Sequence, residues 1–278
     1  MREINTSKIT EVVSALCASA ITNLPEDVLS ALNTALKNET SKSGREILRQ
    51  IIQNAKIAAE EKLPLCQDTG TAVLFIELGQ EVAIINGNFN EAVQEGVRQG
   101  YKDGRKSIVA DPLARNNTKD NTPAIIHLDI VTGDKIKIKL SCKGGGAENK
   151  STIKMFNPST NKEEIERFIL ETVKNNSPEA CPPVIIGVGI GSNFDGVALL
   201  AKKALLRKVG MHSSAFSIKK WEKELLEKIN KLGIGPMGLG GKTTALAINI
   251  ERAPCHISSL PVAINFDCHA HRYGEAVI

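Results

Sequence analysis

The sequence predicts an α/β fold in which mixed sheets are flanked by helices and a helical segment covers about residues 1–61. Amphipathic runs, with apolar residues three or four positions apart, fill that segment. Apolar runs typical of buried strands begin after it, the first being TAVLFIELG at residues 71–79. Strand-like and helix-like segments then alternate to the end of the chain, which is typical of a mixed α/β domain.

The helical N-terminal segment contains two amphipathic stretches. Apolar residues of the first share one helical face, namely Ile9, Val12, Val13, Leu16 and Ile21. The second is REILRQIIQNAKIAAEEK. Polar and acidic residues interrupt the first stretch, so it differs from a signal peptide, and no apolar run reaches the roughly 18 residues needed to span a membrane. We therefore expect a cytoplasmic protein.

Strands are predicted in the middle of the chain. EVAIING at 81–87 follows the first strand, and NEAVQEGVRQGYKDG is predicted to form a helix that ends at Gly104. Residues 123–142 alternate between polar and apolar on both sides of Thr132-Gly133-Asp134. This alternation predicts a β-hairpin with one face in contact with water.

Helices and buried strands also alternate in the C-terminal half. NKEEIERFILETVKNN is predicted as a helix capped by Asn161 or Thr160, and VIIGVGIG as a buried strand. Helices ending at Gly210 and just before Gly233 follow, and TTALAINIERAP and SLPVAINFDC contain strand-like segments. No internal repeat or linker is evident. We treat residues 1–278 as a single domain, although alternation alone does not separate one domain from two.

Composition narrows the range of functions. The 278 residues are 42% hydrophobic and carry a net charge of +4 that is spread along the chain. There is no block of basic residues and only 4% of residues are aromatic, so nucleic-acid binding has little support. The six cysteines lack the density of a disulfide framework, which indicates a reducing compartment and favours metal-binding or catalytic thiols.

The motif CQDTG begins at Cys66. A thiolate followed by the amide of Gln67 and the carboxylate of Asp68 is suited to a metal and a substrate, because a carboxylate beside a bound substrate can act as a general acid or base. The same residues also suit an ordinary turn before a strand, in which a buried cysteine packs as a small apolar side chain.

Two glycine-rich segments are candidates for anion binding. SCKGGGAENKS, residues 141–151, offers backbone N–H groups and two lysines, Lys143 and Lys150, although it could also be a flexible turn. Cys142 is a rival thiol ligand here, but the strand alternation favours packing. GPMGLGGKTT resembles a phosphate-binding P-loop, yet Pro236 stands where the first glycine of that motif is required.

The C-terminal region concentrates cysteines and histidines. Cys255–His256 and Cys268–His269-Ala270-His271 admit a zinc site, although their spacing does not match a common zinc finger. The local motifs alone indicate a metal-dependent, anion-binding α/β enzyme.

The order of five motifs is more specific than any one of them. The motifs are PLCQDTG, KGGGAENKS, ACPP before a glycine-rich strand, GPMGLGGKTT, and SLPVAINFDCHAHR. In this order they resemble the class I (iron–sulfur) fumarate hydratase family, which includes the L-tartrate dehydratases. The resemblance extends from about residue 10 to the C-terminus and is to the α subunit, or N-terminal half, of these enzymes.

The resemblance implies a [4Fe–4S] cluster held by Cys66, Cys181 and Cys268. These cysteines are far apart in the sequence, so only a folded chain could bring them to one cluster. Three thiolates leave one iron without a protein ligand, and such an iron can act as a Lewis acid on a substrate hydroxyl.

The resemblance also implies roles for other side chains. Asp68 and His256 match family residues of the catalytic site. Positions that match the family's substrate-binding residues are Gln67, Arg105, Gly146, Asn149 and Lys150. The match at Arg105 is looser because its neighbours differ. After the cysteine the family has small residues and an arginine, whereas this chain has His269-Ala270-His271-Arg272.

The function predicted from the resemblance is that of the α subunit of a hydro-lyase that hydrates fumarate reversibly to malate. The alternative is dehydration of L-tartrate or a related 2-hydroxy diacid by the same chemistry. Either reaction implies a small dicarboxylic acid substrate and a β subunit that carries the second half of the active site. A zinc-dependent hydrolase and a non-enzymatic iron–sulfur scaffold are the other hypotheses.

Overall fold

We describe a computed structural model that covers residues 1–278. Its contacts divide the chain into two compact units. Unit 1 comprises Met1–Pro25, Asn54–Gly145 and Arg272–Ile278, and unit 2 comprises Glu26–Gln53 and Gly146–His271. Each unit has a sheet and its own apolar core. The predicted class, mixed α/β with a helical N-terminal segment, is confirmed.

The N-terminal segment is helical, as predicted. It contains α1 (Thr6–Thr22), α2 (Glu26–Asn38) and α3 (Lys42–Glu61), preceded by a short strand, β1 (Arg2–Asn5), which was not predicted. The side chain of Asn5 accepts a hydrogen bond from the N–H of Ser7 and so caps α1.

One stretch, Thr6–Asn38, has the length and mean hydropathy (1.2) of a candidate membrane span. Pro25 interrupts this stretch between α1 and α2. The apolar face of α1, including Ile9, Val13 and Cys17, is buried in the core of unit 1. A helix that packs in a protein interior passes the same test of length and hydropathy, so the stretch is weak evidence for a membrane span.

Unit 1 contains a four-stranded sheet in the order β10-β5-β2-β4. Its strands are β2 (Thr71–Gly79), β4 (Ile125–Val131), β5 (Ile136–Lys143) and β10 (Tyr273–Val277). A separate parallel pair joins β1 to β3 (Val82–Ile85). Besides α1, this unit contains α4 (Phe89–Gly100), which ends four residues before the predicted Gly104.

The predicted hairpin over residues 123–142 is wrong. Strands β4 and β5 do not pair with each other, because β2 lies between them, parallel to β4 and antiparallel to β5. The connection passes over the end of β2, where Gly79 N–H donates to the carbonyl of Lys135 (2.9 Å) and Glu81 N–H to that of Gly133 (3.0 Å). The alternation marked two strands correctly but carried no information on their partner.

Glycines allow α1 and α4 to pack closely in unit 1. A Cβ at Gly96 would lie 2.7 Å from Cβ of Val13, and a Cβ at Gly100 would lie 2.4 Å from Cβ of Cys17. Both distances are shorter than any real contact, so the close approach of the two helices depends on these glycines.

Unit 2 contains a four-stranded sheet in the order β6-β9-β7-β8. Its strands are β6 (Thr152–Phe156), β7 (Val184–Ser192), β8 (Ala245–Cys255) and β9 (Leu260–Asp267), and its later helices are α5 (Gly145–Glu148, which begins one residue before the unit), α6 (Lys162–Asn176), α7 (Phe194–Ala204) and α8 (Phe216–Asn230). The cap predicted at Asn161 is present, since its side chain accepts from the N–H of Glu164. Strands β6 and β10 were not predicted.

The glycines of β7 have a packing role. A Cβ at Gly187 would lie 2.0 Å from the carbonyl oxygen of Ala201, and one at Gly189 would lie 2.3 Å from that of Val197. Helix α7 therefore rests directly on the backbone of β7. This contact explains why glycine alternates in that strand without forming a nucleotide-binding motif.

Candidate functional site

The CQDTG motif forms the loop that leads into β2 in unit 1. The carboxylate of Asp68 accepts three hydrogen bonds: Oδ1 from Gly70 N–H (3.0 Å) and Ser107 Oγ (3.1 Å), and Oδ2 from Gly145 N–H (2.7 Å). These donors come from three separate segments of unit 1. The side chain is therefore held in one orientation, which a simple turn-capping role would not require.

Gly70 fixes the exit of this loop. Its φ of +81° lies in the left-handed region, and a Cβ there would come within 2.8 Å of the Lys143 carbonyl at the end of β5. Only glycine combines this backbone conformation with so close an approach. The glycine of CQDTG thus allows Asp68 and the residues after β5 to meet.

A cavity of about 280 Å³ opens beside Asp68. Its lining residues are Gln67, Asp68, Arg105, Lys106 and Ser107. The exposed guanidinium of Arg105 forms no hydrogen bond or ion pair with the rest of the chain, whereas Lys106 Nζ is bound to the carbonyls of Lys102 (2.8 Å) and Gly104 (2.5 Å). Three predicted site residues thus share one cavity, and Arg105 is its available cation.

Two residues that the sequence did not single out shape this cavity. Buried Asn121 donates to the carbonyl of Gly70 (3.1 Å) and accepts from the N–H of Ser107 (2.7 Å). Thr69 Oγ1 also bonds to the carbonyl of Arg105. These contacts join the CQDTG loop to residues 105–107. Neither Asn121 nor Ser107 lies in a recognisable motif, so only the folded chain reveals them.

Arg272 is a further residue that the sequence left without a role. Its side chain is 1% exposed, and its Nη1 donates to the backbone carbonyl of Asp68 at 2.8 Å. A Cβ at Gly144 would lie 3.4 Å from Asp68 Oδ2 and 3.5 Å from Arg272 Nη2. The glycine after β5 therefore leaves room for both groups.

Unit 2 brings Cys181 and Cys268 to the same end of its sheet. Cys181 precedes β7, and Cys268 follows β9, its antiparallel neighbour. The backbone N–H of His269 donates to the carbonyl of Cys181 (3.3 Å), and its ring Nδ1 lies 2.9 Å from the same oxygen. Cys66 lies in unit 1.

A buried acid–imidazole pair supports the segment around Cys268. Asp267 Oδ1 accepts from the N–H of Cys268 (3.1 Å), and Oδ2 lies 2.7 Å from His271 Nδ1. Asp267 and His271 are almost fully buried. The pair fixes the backbone on both sides of the cysteine, so the histidine at 271 has a positioning role.

Lys150 also lies near Cys181. Its ammonium pairs with the carboxylate of Glu179, two residues before the cysteine, and this hydrogen bond lowers the pKa of Glu179. Asn176 Nδ2 donates to the carbonyl of Lys150 (2.8 Å). Lys150 therefore already binds a carboxylate at this end of the sheet. Gly146 and Asn149 are exposed in the same segment.

His256 lies at the opposite end of the same sheet. It belongs to the turn between β8 and β9, where its Nδ1 accepts from the N–H of Ser258 (3.1 Å). Strand β9 has eight residues, which at about 3.3 Å each make it about 26 Å long. His256 lies before the start of this strand and Cys268 after its end. Within unit 2, His256 and the two cysteines do not form one site. The same separation excludes a zinc site built from Cys255–His256 and Cys268–His271.

The six thiols fall into distinct environments. Cys17 and Cys142 are buried in the core of unit 1, and burial, followed by the proximity of Cys142, raises the pKa of Cys17. Cys66, Cys181 and Cys268 form no disulfide and are at least partly exposed, as is Cys255 at the end of β8. Neither unit by itself gathers three metal-binding side chains. Accessible thiols of this kind can bind a metal as thiolates, whereas the buried pair cannot.

The glycine-rich loop before β8 already holds an anion from the chain itself. The carboxylate of Glu39 accepts from the N–H groups of Lys242 (2.7 Å), Thr40 (2.9 Å) and Ser41 (3.0 Å). A Cβ at Gly241 would lie 2.8 Å from Glu39 Oε2. The GPMGLGGKTT segment is therefore a structural loop closed on a carboxylate of the chain itself, which takes the place that a phosphate would need.

Comparison with known proteins gives a consistent assignment. The model of the fumarate hydratase (fumerase) family matches residues 10–277. A Methanocaldococcus jannaschii protein provisionally named L(+)-tartrate dehydratase subunit alpha is 44% identical over 275 residues, 95% of each chain. The L(+)-tartrate dehydratase subunit alpha of Escherichia coli K12 is 31% identical over 276 residues, 98% of this chain and 91% of that one. The chain belongs to the fumarate hydratase family and is a hydro-lyase α subunit.

Proposed function

We propose that this chain is the α subunit of an L-tartrate dehydratase. The observation that carries the proposal is the 31–44% identity, over nearly the whole chain, to proteins named as tartrate dehydratase α subunits. It favours the alternative over the fumarate reaction that the sequence analysis placed first. Loss of water from L-tartrate breaks one C–O and one C–H bond and gives an enol, which becomes oxaloacetate.

The proposed cofactor is a [4Fe–4S] cluster held by Cys66, Cys181 and Cys268. Support comes from their accessibility and from the contrast with the sealed thiols of Cys17 and Cys142. When bound by three thiolates, such a cluster supplies a Lewis-acidic iron that makes hydroxide a better leaving group.

Asp68 is the proposed proton carrier. Its carboxylate lines the cavity of unit 1 and is oriented by Gly70, Gly145 and Ser107, so it needs little reorganisation when a substrate arrives. A carboxylate held in this way can take or return the proton of a carbon or hydroxyl group within hydrogen-bond reach.

The substrate carboxylates are proposed to bind basic and amide groups. Arg105 offers a guanidinium with no acidic partner in the chain, and a guanidinium binds a carboxylate through two parallel hydrogen bonds. Gln67 provides amide donors in the same cavity. Lys150 is the corresponding group in unit 2, where its pairing with Glu179 demonstrates its reach toward a carboxylate; Gly146 and Asn149 are its neighbours.

The length of β9 separates His256 from Cys181 and Cys268 of the same chain. In this proposal His256 therefore contributes only to an active site that is carried by another polypeptide chain.

A β subunit is also part of the proposal. The relatives are named as α subunits, which implies a second subunit, and we propose that it supplies the remaining basic and hydroxyl groups of the active site.

The test is an assay of the chain with its co-expressed β subunit, purified without oxygen. We expect stoichiometric iron and sulfide and a kcat/KM for L-tartrate at least about tenfold above that for malate, a difference of about 1.4 kcal/mol in transition-state binding. A higher kcat/KM for malate or fumarate would instead support reversible hydration of fumarate. Purified protein that contains zinc and no sulfide would refute the proposed [4Fe–4S] cluster.

A further inference from the structure

Strand β4 forms an open edge of the sheet of unit 1. It pairs only with β2, and it carries four apolar side chains that are exposed to solvent. These are Ile125 (47% exposed), Leu128 (45%), Ile130 (71%) and Val131 (36%). Proteins usually protect a long apolar edge strand, since it offers unpaired backbone groups to any other strand.

The backbone of this edge points outward at the even-numbered residues. The carbonyl of Val131 accepts from Gln80 N–H at 2.8 Å, so residue 131 faces β2. Successive residues of a strand point their backbone groups to opposite sides. The N–H and C=O groups of Ile126, Leu128 and Ile130 therefore face away from β2, and no backbone group of the chain pairs with them.

The sequence of β4 is complementary to itself when read in the antiparallel direction. A two-fold axis at Leu128 would place Leu128 opposite its own copy, Ile126 opposite Ile130, and Ile125 opposite Val131. It would also place His127 opposite Asp129 of the second copy. Every apolar side chain meets an apolar one, and the imidazole meets a carboxylate.

The backbone directions agree with this register. Ile126, Leu128 and Ile130 point outward, so their pairs would be of the type that exchanges both N–H···O bonds. The His127–Asp129 pairs would then be of the non-hydrogen-bonded type, in which side chains approach most closely. A register shifted by two residues would oppose His127 to His127 or Asp129 to Asp129, so imidazole–carboxylate pairs form only in the register centred on Leu128.

We propose that β4 is a homotypic interface, at which two copies of this chain pair antiparallel about Leu128 and join their sheets. The occupant is a second copy and not the β subunit, because the apolar and charged positions of the edge match those of the edge itself. The proposal is independent of the substrate and the cluster. It assigns a structural role to the exposed apolar residues that the active site does not use.

A cysteine at the two-fold position provides the sharpest test. In a hydrogen-bonded antiparallel pair the two Cα atoms are about 5.5 Å apart, within the range that a disulfide spans. We therefore expect Leu128→Cys to cross-link two copies under mild oxidation, both in the chain alone and in its complex with the β subunit. The tryptic peptide Asp120–Lys135 contains no natural cysteine, so a disulfide between two such peptides identifies the link.

Ile130→Cys is the matched control, because in the proposed register it faces Ile126 and not its own copy. It is more exposed than Leu128, so random collision would link it more readily. Equal linkage of the two variants, or none, would overturn the proposal. Linkage that disappears when the β subunit binds would also overturn it, since the edge would then belong to that subunit.

A charge exchange gives an independent result. His127→Glu should weaken the dimer, measured by sedimentation velocity, since it opposes two carboxylates across the axis. Adding Asp129→Lys in the same chain should restore the dimer. Failure of the double variant to recover dimerisation, while it remains folded by circular dichroism, would contradict the register.

Discussion

The guanidinium of Arg272 donates a hydrogen bond to the backbone carbonyl of Asp68 at 2.8 Å, although the two residues are 204 positions apart in the chain. This bond ties the residue that precedes β10 to the loop that orients the proposed proton carrier. Arg272 is 1% exposed, so no water can easily replace it. We infer that Arg272 is a positioning residue for Asp68.

Arg272→Met should therefore lower the free energy of unfolding by about 1–3 kcal/mol, because a buried carbonyl loses its donor. Turnover should fall while the KM for the substrate changes less, since Asp68 loses its orientation and the cavity keeps Arg105. Urea unfolding and steady-state kinetics on the same preparation measure both effects. Exposed Arg252→Met is the matched control. If the Arg272 variant had normal turnover but reduced stability, Arg272 would stabilise the fold without orienting Asp68 for catalysis.

Asp68→Asn should reduce kcat by roughly 10²- to 10⁴-fold, the usual contribution of a general acid or base. The amide keeps the size of the carboxylate but cannot carry the proton, and its N–H₂ group would oppose the N–H of Gly145 or Gly70. Cluster content should stay near the wild-type value. Ser107→Ala, which removes one hydrogen bond to Asp68 without removing the acid, should have a much smaller effect. Wild-type turnover of Asp68→Asn would exclude it from the mechanism.

Changing Cys66, Cys181 or Cys268 to Ser should abolish the iron–sulfur chromophore. Cys255→Ser should retain it, because Cys255 ends β8, at the opposite end of the sheet from Cys181 and Cys268, where it contacts the Ser259 carbonyl (3.3 Å). Iron and sulfide analysis under anaerobic conditions measures the outcome. Loss of the cluster in Cys255→Ser, together with its survival in Cys268→Ser, would identify a different third ligand.

Arg105→Lys should raise the KM for the diacid by roughly tenfold or more. Lysine keeps the charge but loses the two parallel hydrogen bonds that a guanidinium forms with a carboxylate. The neighbouring Lys106 serves as a contrast. Its ammonium binds the carbonyls at the end of α4, so Lys106→Met should lower stability more than substrate affinity. An unchanged KM for Arg105→Lys would assign the carboxylate contact to another group.

The sequence predicted local elements more successfully than their partners. The alternating residues 123–142 marked two strands, but the insertion of β2 between them depends on contacts with residues 71–79 that no local pattern encodes. Likewise, the CQDTG motif identified Gln67 and Asp68, and the family resemblance identified Arg105, and these three residues share one cavity. Ser107, Asn121 and Arg272 complete that environment through bonds between distant segments, and neither periodicity nor motif spacing identifies such residues.

Closeness in sequence was also a poor guide to closeness in the fold. His256 and Cys268 are close in sequence, but a strand of eight residues between them carries them to opposite ends of a sheet. Glycine-rich runs, by contrast, were read correctly as lacking a nucleotide motif. The glycines of VIIGVGIG accommodate α7, and the loop GPMGLGGKTT, in which Pro236 argued against a P-loop, closes around Glu39.

Glu39 provides a prediction of pH-dependent stability. Burial of its carboxyl group opposes ionisation, but the N–H groups of Ser41, Lys242 and Thr40 outweigh burial and lower its pKa below the usual 4.5. A carboxyl group whose pKa is lower in the folded state stabilises the fold fully above its unfolded pKa. This contribution is lost as the pH falls through the folded pKa.

We therefore expect Glu39→Gln to lower the free energy of unfolding by about 1–3 kcal/mol near neutral pH, since the amide cannot accept all of these hydrogen bonds as a charged group does. The difference from the wild type should shrink as the pH falls below 4.5. Urea unfolding over that pH range measures it. The exposed Glu46→Gln is the control, because its carboxylate pairs only with neighbours on the surface of α3, and it should show little difference at any pH. A Glu39→Gln deficit that is constant across the titration would show that the side chain acts by shape and not by charge.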